Sequence, residues 1–113
     1  MQTVPAKDPD AIEPYFVVWC GSDGTNDGST DDDGELQGAT ISTSVWVLSG
    51  GITKESDNNS AVTIAGVTYA VNTVSTIWLS GGTAGAYYTL TNRIVTSDGR
   101  TLDKSIILPV REL

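Results

Sequence analysis

Carboxylates are the residues best equipped for chemistry in this chain, and they are concentrated. Between Gly21 and Gly38 the sequence runs Gly-Ser-Asp-Gly-Thr-Asn-Asp-Gly-Ser-Thr-Asp-Asp-Asp-Gly-Glu-Leu-Gln-Gly, holding six of the fourteen acidic residues and five of the twelve glycines. Closely spaced Asp, Asn and backbone carbonyls are the oxygen donors that calcium takes, so Asp23, Asp27 and Asp31 are the calcium candidates. Measured against an EF-hand loop, Asp23, Thr25, Asp27 and Gly28 fall at the first, third, fifth and sixth positions. Gly34, however, stands at the twelfth, where a bidentate Glu is required, and Glu35 comes one residue late. No helical pattern flanks the loop. The expectation is no metal site, and instead a solvated, self-repelling loop that orders on contact with a partner.

The remaining acids, Asp8, Asp10, Glu13, Glu55, Asp57, Asp98, Asp103 and Glu112, are scattered over turns and termini, where Asp is common for backbone reasons. Two carboxylates suffice for glycoside hydrolysis, but these form no evident pair. There is no histidine, so Ser-His-Asp and Cys-His nucleophiles are impossible within the chain. Gly81-Gly82-Thr83-Ala84-Gly85 lacks the Gly-Lys-Ser/Thr ending of a phosphate loop. Asn58-Asn59-Ser60 matches a glycosylation acceptor and reads more simply as a turn. The single cysteine, Cys20, forms no disulfide within the chain; beside Trp19 it reads as a small buried hydrophobe, with a bridge to another chain as the alternative. Neither catalysis nor a cofactor is expected.

With 6 Lys+Arg against 14 Asp+Glu the formal net charge is −8, which argues against a nucleic-acid partner. No run of about 18 apolar residues offers a membrane span. The N-terminal residues show no signal-peptide pattern, so the expectation is an unprocessed chain made in a reducing cytoplasm.

The elements that must position any site are strands. Thr and Gly are abundant, Val and Ile outnumber Leu, and no window keeps the apolar stripe of a helix. After an irregular arm at 1–13, strands are expected over Pro14 to Cys20, Thr40 to Leu48, a short stretch at Ile52 to Lys54, Ala61 to Ile64 with Val67 to Val71 (one bent strand or two), Val74 to Leu79, Tyr87 to Thr96 and Thr101 to Val110. Ser56 to Ser60 reads as a polar turn, and Ser97-Asp98-Gly99-Arg100 as a hairpin turn. Six to eight strands at this spacing predict an all-β sandwich. Trp19, Trp46 and Trp78, one in each of three strands, are expected to fill the space between two sheets. The alternative is a sugar-stacking platform built on Trp46, Tyr69 or Tyr87, with calcium in the acidic loop.

Several stretches resemble the small fiber–tail adaptor proteins of tailed bacteriophages. They are Thr3-Val4-Pro5-Ala6-Lys7-Asp8-Pro9-Asp10-Ala11, Ala39-Thr40-Ile41-Ser42-Thr43-Ser44-Val45-Trp46, Ile77-Trp78-Leu79-Ser80-Gly81-Gly82-Thr83-Ala84-Gly85, Tyr88-Thr89-Leu90-Thr91-Asn92-Arg93-Ile94-Val95-Thr96, and Ser97 to Glu112. The resemblance spans nearly the whole chain except the acidic loop. It implies an immunoglobulin-like antiparallel β-sandwich over 14–113, non-catalytic, placed in the virion between tail or baseplate proteins and a fiber. A neck position is the further alternative. Such a protein would be made in the host cytoplasm and used in multiple copies of a symmetric assembly. Prolines at 5, 9 and 14 keep the arm extended and lower the cost of ordering it, so the contact residues expected are Val4, Pro5, Lys7, Asp8, Pro9, Arg111 and Leu113.

Overall fold

Alternation of side chains decides the strands, and it is cleanest in the C-terminal third. In Tyr87–Thr96 the even-numbered residues Tyr88, Leu90, Asn92, Ile94 and Thr96 are buried, while Tyr87, Thr89 and Arg93 are exposed. Asp98 and Gly99, the latter at φ +88°, then turn the chain so that Thr101–Pro109 pairs back from Val95↔Thr101 to Tyr87↔Pro109.

The computed structural model describes residues 2–21, 24–26 and 34–113. All regular structure among the described residues is strand: β1 (Gln2–Thr3), β2 (Glu13–Val18), β3 (Ile41–Leu48), β4 (Ile52–Asn58), β5 (Val62–Ile64), β6 (Val67–Tyr69), β7 (Val74–Gly81), β8 (Tyr87–Thr96) and β9 (Thr101–Pro109). One sheet has the order β1-β9-β8-β3 and a second β2-β7-β4, with β5 and β6 forming a separate hairpin. All pairings are antiparallel except β1 with β9. The chain is thus an all-β sandwich, with its core of Tyr15, Val17, Trp19, Leu36, Ile77, Leu79, Leu90, Ile94 and Leu108 among others buried between the sheets.

Two local expectations are revised, and one left open between two alternatives is decided. Ser56, Asp57 and Asn58 are not a turn; they continue β4 opposite Trp78, Ile77 and Thr76, past a register shift after Lys54. The ladder with β7 outweighs the weak strand preference of Asp and Asn. The stretch at 61–71 is two strands, because Ala65 and Gly66 both take positive φ (+51° and +83°) and fold a tight hairpin. Trp78 does not point between the sheets. Ile77 and Leu79 on either side of it are fully buried, so strand parity sends the indole outward, where it is 38% exposed.

The two sheets are tied by a buried polar chain. Trp19, just beyond β2, donates its indole N–H to Asn92 Oδ1 on β8 at 2.9 Å. Asn92 Nδ2 donates to Ser44 Oγ (2.9 Å) and to the Val45 carbonyl (3.1 Å) on β3, and the Ser44 hydroxyl meets that of Ser75 on β7 at 3.2 Å. At the β7–β8 corner the Tyr88 hydroxyl accepts the Thr83 N–H at 2.8 Å. A tyrosine so placed, and a buried tryptophan on the third strand, here Trp46, are features shared with immunoglobulin-type sandwiches. Among the described residues the Trp46 indole N–H is buried with no partner.

The two buried indoles therefore differ in one bond. Both Trp→Phe changes remove similar volume, but Trp19→Phe strands the Asn92 amide oxygen. Urea unfolding should show Trp19→Phe costing about 1–3 kcal/mol more than Trp46→Phe, the usual penalty for an orphaned buried acceptor.

Candidate interaction surface

All seven residues expected to make contacts lie along one edge of the molecule, which the two chain termini build together. The arm is extended only as far as Lys7, where the sheet edge holds it; contrary to the expectation for 1–13, residues 8–11 form a turn closed by the Ala11 N–H to the Asp8 carbonyl at 3.1 Å, and the arm does not stand apart from the sandwich. Gln2 and Thr3 pair in parallel with Ile106 and Ile107; the Val4 N–H donates to the Ile107 carbonyl and the Lys7 N–H to that of Pro109, both at 2.9 Å. The Arg111 N–H returns a bond to the Lys7 carbonyl at 3.0 Å. The physical reason is the open edge of β9, whose main-chain groups need partners that the arm supplies.

Lys7, one of the expected contact residues, is pinned here by bonds within its own chain. It is fully buried, and its ammonium donates to the carbonyls of Asp8 and Gly81, each at 2.8 Å. Asp8 closes the next turn: Oδ1 accepts the Asp10 N–H at 2.9 Å and Oδ2 the Leu113 N–H at 3.1 Å. Those backbone donors hold its carboxyl below the usual range. Around this scaffold Pro5 and Arg111 are exposed, as are Ile12 (60%) and Leu113 (74%), with Val4 and Pro9 partly so.

The glycine run after β7 shapes the seat. Gly81 offers its carbonyl to Lys7, and Gly82, at φ +94°, lies so close to Val110 that a Cβ would stand 2.9 Å from its Cγ2. Beyond it the Gly85 N–H donates to the Val110 carbonyl (2.7 Å) and the Val110 N–H to that of Ala86 (3.0 Å). A shallow depression of about 130 Å³ between Gly85, Ala86, Tyr87, Pro109, Val110 and Arg111 opens here. Tyr87 beside it is 74% exposed. Parity along β8 gave the signal that Tyr87 faces out, and its cross-strand partner Pro109 places it beside the termini.

Asp23, Asp27 and Asp31 lie outside the described residues. The base of their loop is described and firmly held. The Glu35 and Leu36 N–H groups donate to the Trp19 carbonyl (3.0 and 3.2 Å), and the Arg100 guanidinium donates to the Glu35 and Leu36 carbonyls (2.8 and 2.7 Å). Lys104 pairs with the Glu35 carboxylate at 2.8 Å and lies 4.9 Å from the centre of the Trp19 ring. Asn26 brackets the far side, donating to the Ala39 carbonyl and accepting the Gly38 N–H, both at 2.7 Å. Of the acids in the segment, Glu35 thus serves as an anchor.

The aromatic platform is not assembled: Trp46 and Tyr69 are buried, which leaves Tyr87 alone of the three exposed. Cys20 is also buried, its thiol donating to the Gly21 carbonyl at 3.4 Å.

The chain belongs to the phage fiber–tail adaptor family: a family model described as podophage GP4 fiber-tail adaptor protein gp77 matches residues 7–109. It is accordingly a structural virion protein. No curated protein matches the chain.

Arg100 depends on Asp98, which it meets at 3.0 Å. The Thr96 hydroxyl first, then the Arg100 guanidinium, hold the Asp98 carboxyl below its ordinary 3.8. A carboxyl lowered on folding stabilises above its unfolded value, and that stability is lost as pH falls through the folded one. The melting temperature should therefore drop as pH is taken below about 4, and Asp98→Asn should flatten part of that drop when melting is followed by circular dichroism.

Proposed function

We propose that this protein joins the phage tail or baseplate to a tail fiber through contacts made at its terminal edge, and that it carries out no reaction. The observation that carries this reading is the meeting of arm, C-terminal segment and Tyr87 on one edge, with Pro5, Ile12, Tyr87, Arg111 and Leu113 presented to solvent. Exposed apolar and aromatic side chains around an arginine are the composition of protein interfaces. The sheet order, the Tyr88 corner and the buried Trp46 support an immunoglobulin-like sandwich as the rigid carrier. Several copies on a symmetric tail would add avidity to a small contact.

Deleting residues 1–13 removes a strand and the buried Lys7, so it disturbs folding together with docking. The sharper test changes exposed side chains only. Tyr87→Ala combined with Arg111→Glu and Leu113→Asp should leave unfolding free energy within about 0.5 kcal/mol per site. Incorporation of the variant into particles, measured by quantitative immunoblot of purified virions, should fall at least tenfold. Normal incorporation of a stably folded triple variant would sink the reading.

A further inference from the structure

The seated arm takes its backbone partners from the far end of the chain. Between Gln2 and Lys7 they are Ile106, Ile107, Pro109, Val110 and Arg111, and the buried ammonium of Lys7 reaches Gly81. Only residues 8–12 connect this arm to β2. The connector is folded back on itself by two bonds, Asp10 N–H to Asp8 Oδ1 at 2.9 Å and Ala11 N–H to the Asp8 carbonyl at 3.1 Å. It contains Pro9, whose fixed φ suits an extended chain as well as a turn. Its last residue, Ile12, leaves most of its side chain in water.

We infer that in the assembled state the arm is exchanged between copies, so that β1 and Lys7 of one chain occupy the β9 edge and Gly81 carbonyl of the next. The inference rests on the adaptor reading, which sets several copies side by side. Each bond of the seat is the same whether the arm comes from its own chain or from an identical neighbour. Exchange therefore forfeits only the turn at Asp8 and the entropy of association, and closely packed copies reduce the second cost through effective concentration. The occupant is a second copy of this chain because the seat already fits this arm: a lysine at the Gly81 carbonyl and main-chain donors in register with 106–111. Ile12 and Leu113, both exposed and both beside the Asp8 turn, are the apolar surface that a neighbour would cover at the crossing point. Reciprocal exchange would close a dimer, and sequential exchange a ring.

Thr3 and Ile107 are opposite each other in the parallel register, so a disulfide between them reports where the arm sits. One population carries Thr3→Cys and another Ile107→Cys; a covalent pair of the two chains then forms only in trans, while the double variant calibrates how well the bond closes. Both single variants are supplied together to assembling phage, and purified particles are oxidised, thiol-blocked and run on a non-reducing denaturing gel. The expected result is a band of twice the chain mass containing both variants. Single chains only, with the double variant closing internally in particles, would overturn the exchange and leave the adaptor reading standing. Absence of every variant from particles would instead overturn the adaptor reading. In that event the purified mixture at millimolar concentration decides exchange by the same band, its presence upholding it and its absence ending it.

Discussion

The hydrogen bond from the Trp19 indole to Asn92 is the constraint on which the sandwich turns. Asn92 is fully buried and carries two donors and an acceptor that water cannot reach, so it must be satisfied from both sheets at once. Trp19 answers from beyond β2, Ser44 and the Val45 carbonyl answer from β3, and Ser75 extends the chain to β7. Apolar contact alone tolerates sliding of one sheet over another. A satisfied polar chain does not, because any slip leaves donors unpaired in a dry core. The same Trp19 then holds the described base of the acidic segment, its carbonyl accepting the Glu35 and Leu36 N–H groups and its ring lying close to Lys104.

Much of this was legible in the residues. The alternation in 87–96 set the inner face of β8, including Asn92 among Tyr88, Leu90 and Ile94, and the Asp-Gly turn set its partner. What the sequence concealed was pairing at a distance. Ser56 to Asn58 look like a turn until Trp78, Ile77 and Thr76 are known to lie opposite. The outward course of Trp78 was available from the parity of Ile77 and Leu79, but the size of an indole argues for the core and competes with that signal. Lys7 was harder still. A lysine in a polar, proline-bearing arm reads as solvent-exposed, and only the fold reveals that two carbonyls converge on its ammonium.

The charge of the chain is also redistributed by folding. Lys54, Arg93, Arg100 and Lys104 each stand in an ion pair with Asp57, Asp103, Asp98 and Glu35. These pairs are partly or largely exposed and add little stability individually. Their effect is on what is left over. Lys7 is buried, so Arg111 is the exposed base without an ion pair among the described residues, and it stands on the terminal edge.

The parallel sense of β1 against β9 carries a mechanical meaning. The chain enters the sheet edge beside Ile106 and leaves it past Val110, so its two ends point in opposite directions along the same pair of strands. A pull applied between them loads the bonds at Val4, Lys7 and Arg111 in shear, all together, where an antiparallel pairing of the same termini would open one bond at a time. The Lys7 ammonium locked to Gly81 adds a side-chain stop to that slide. This edge is arranged to resist tension between the two ends of the chain.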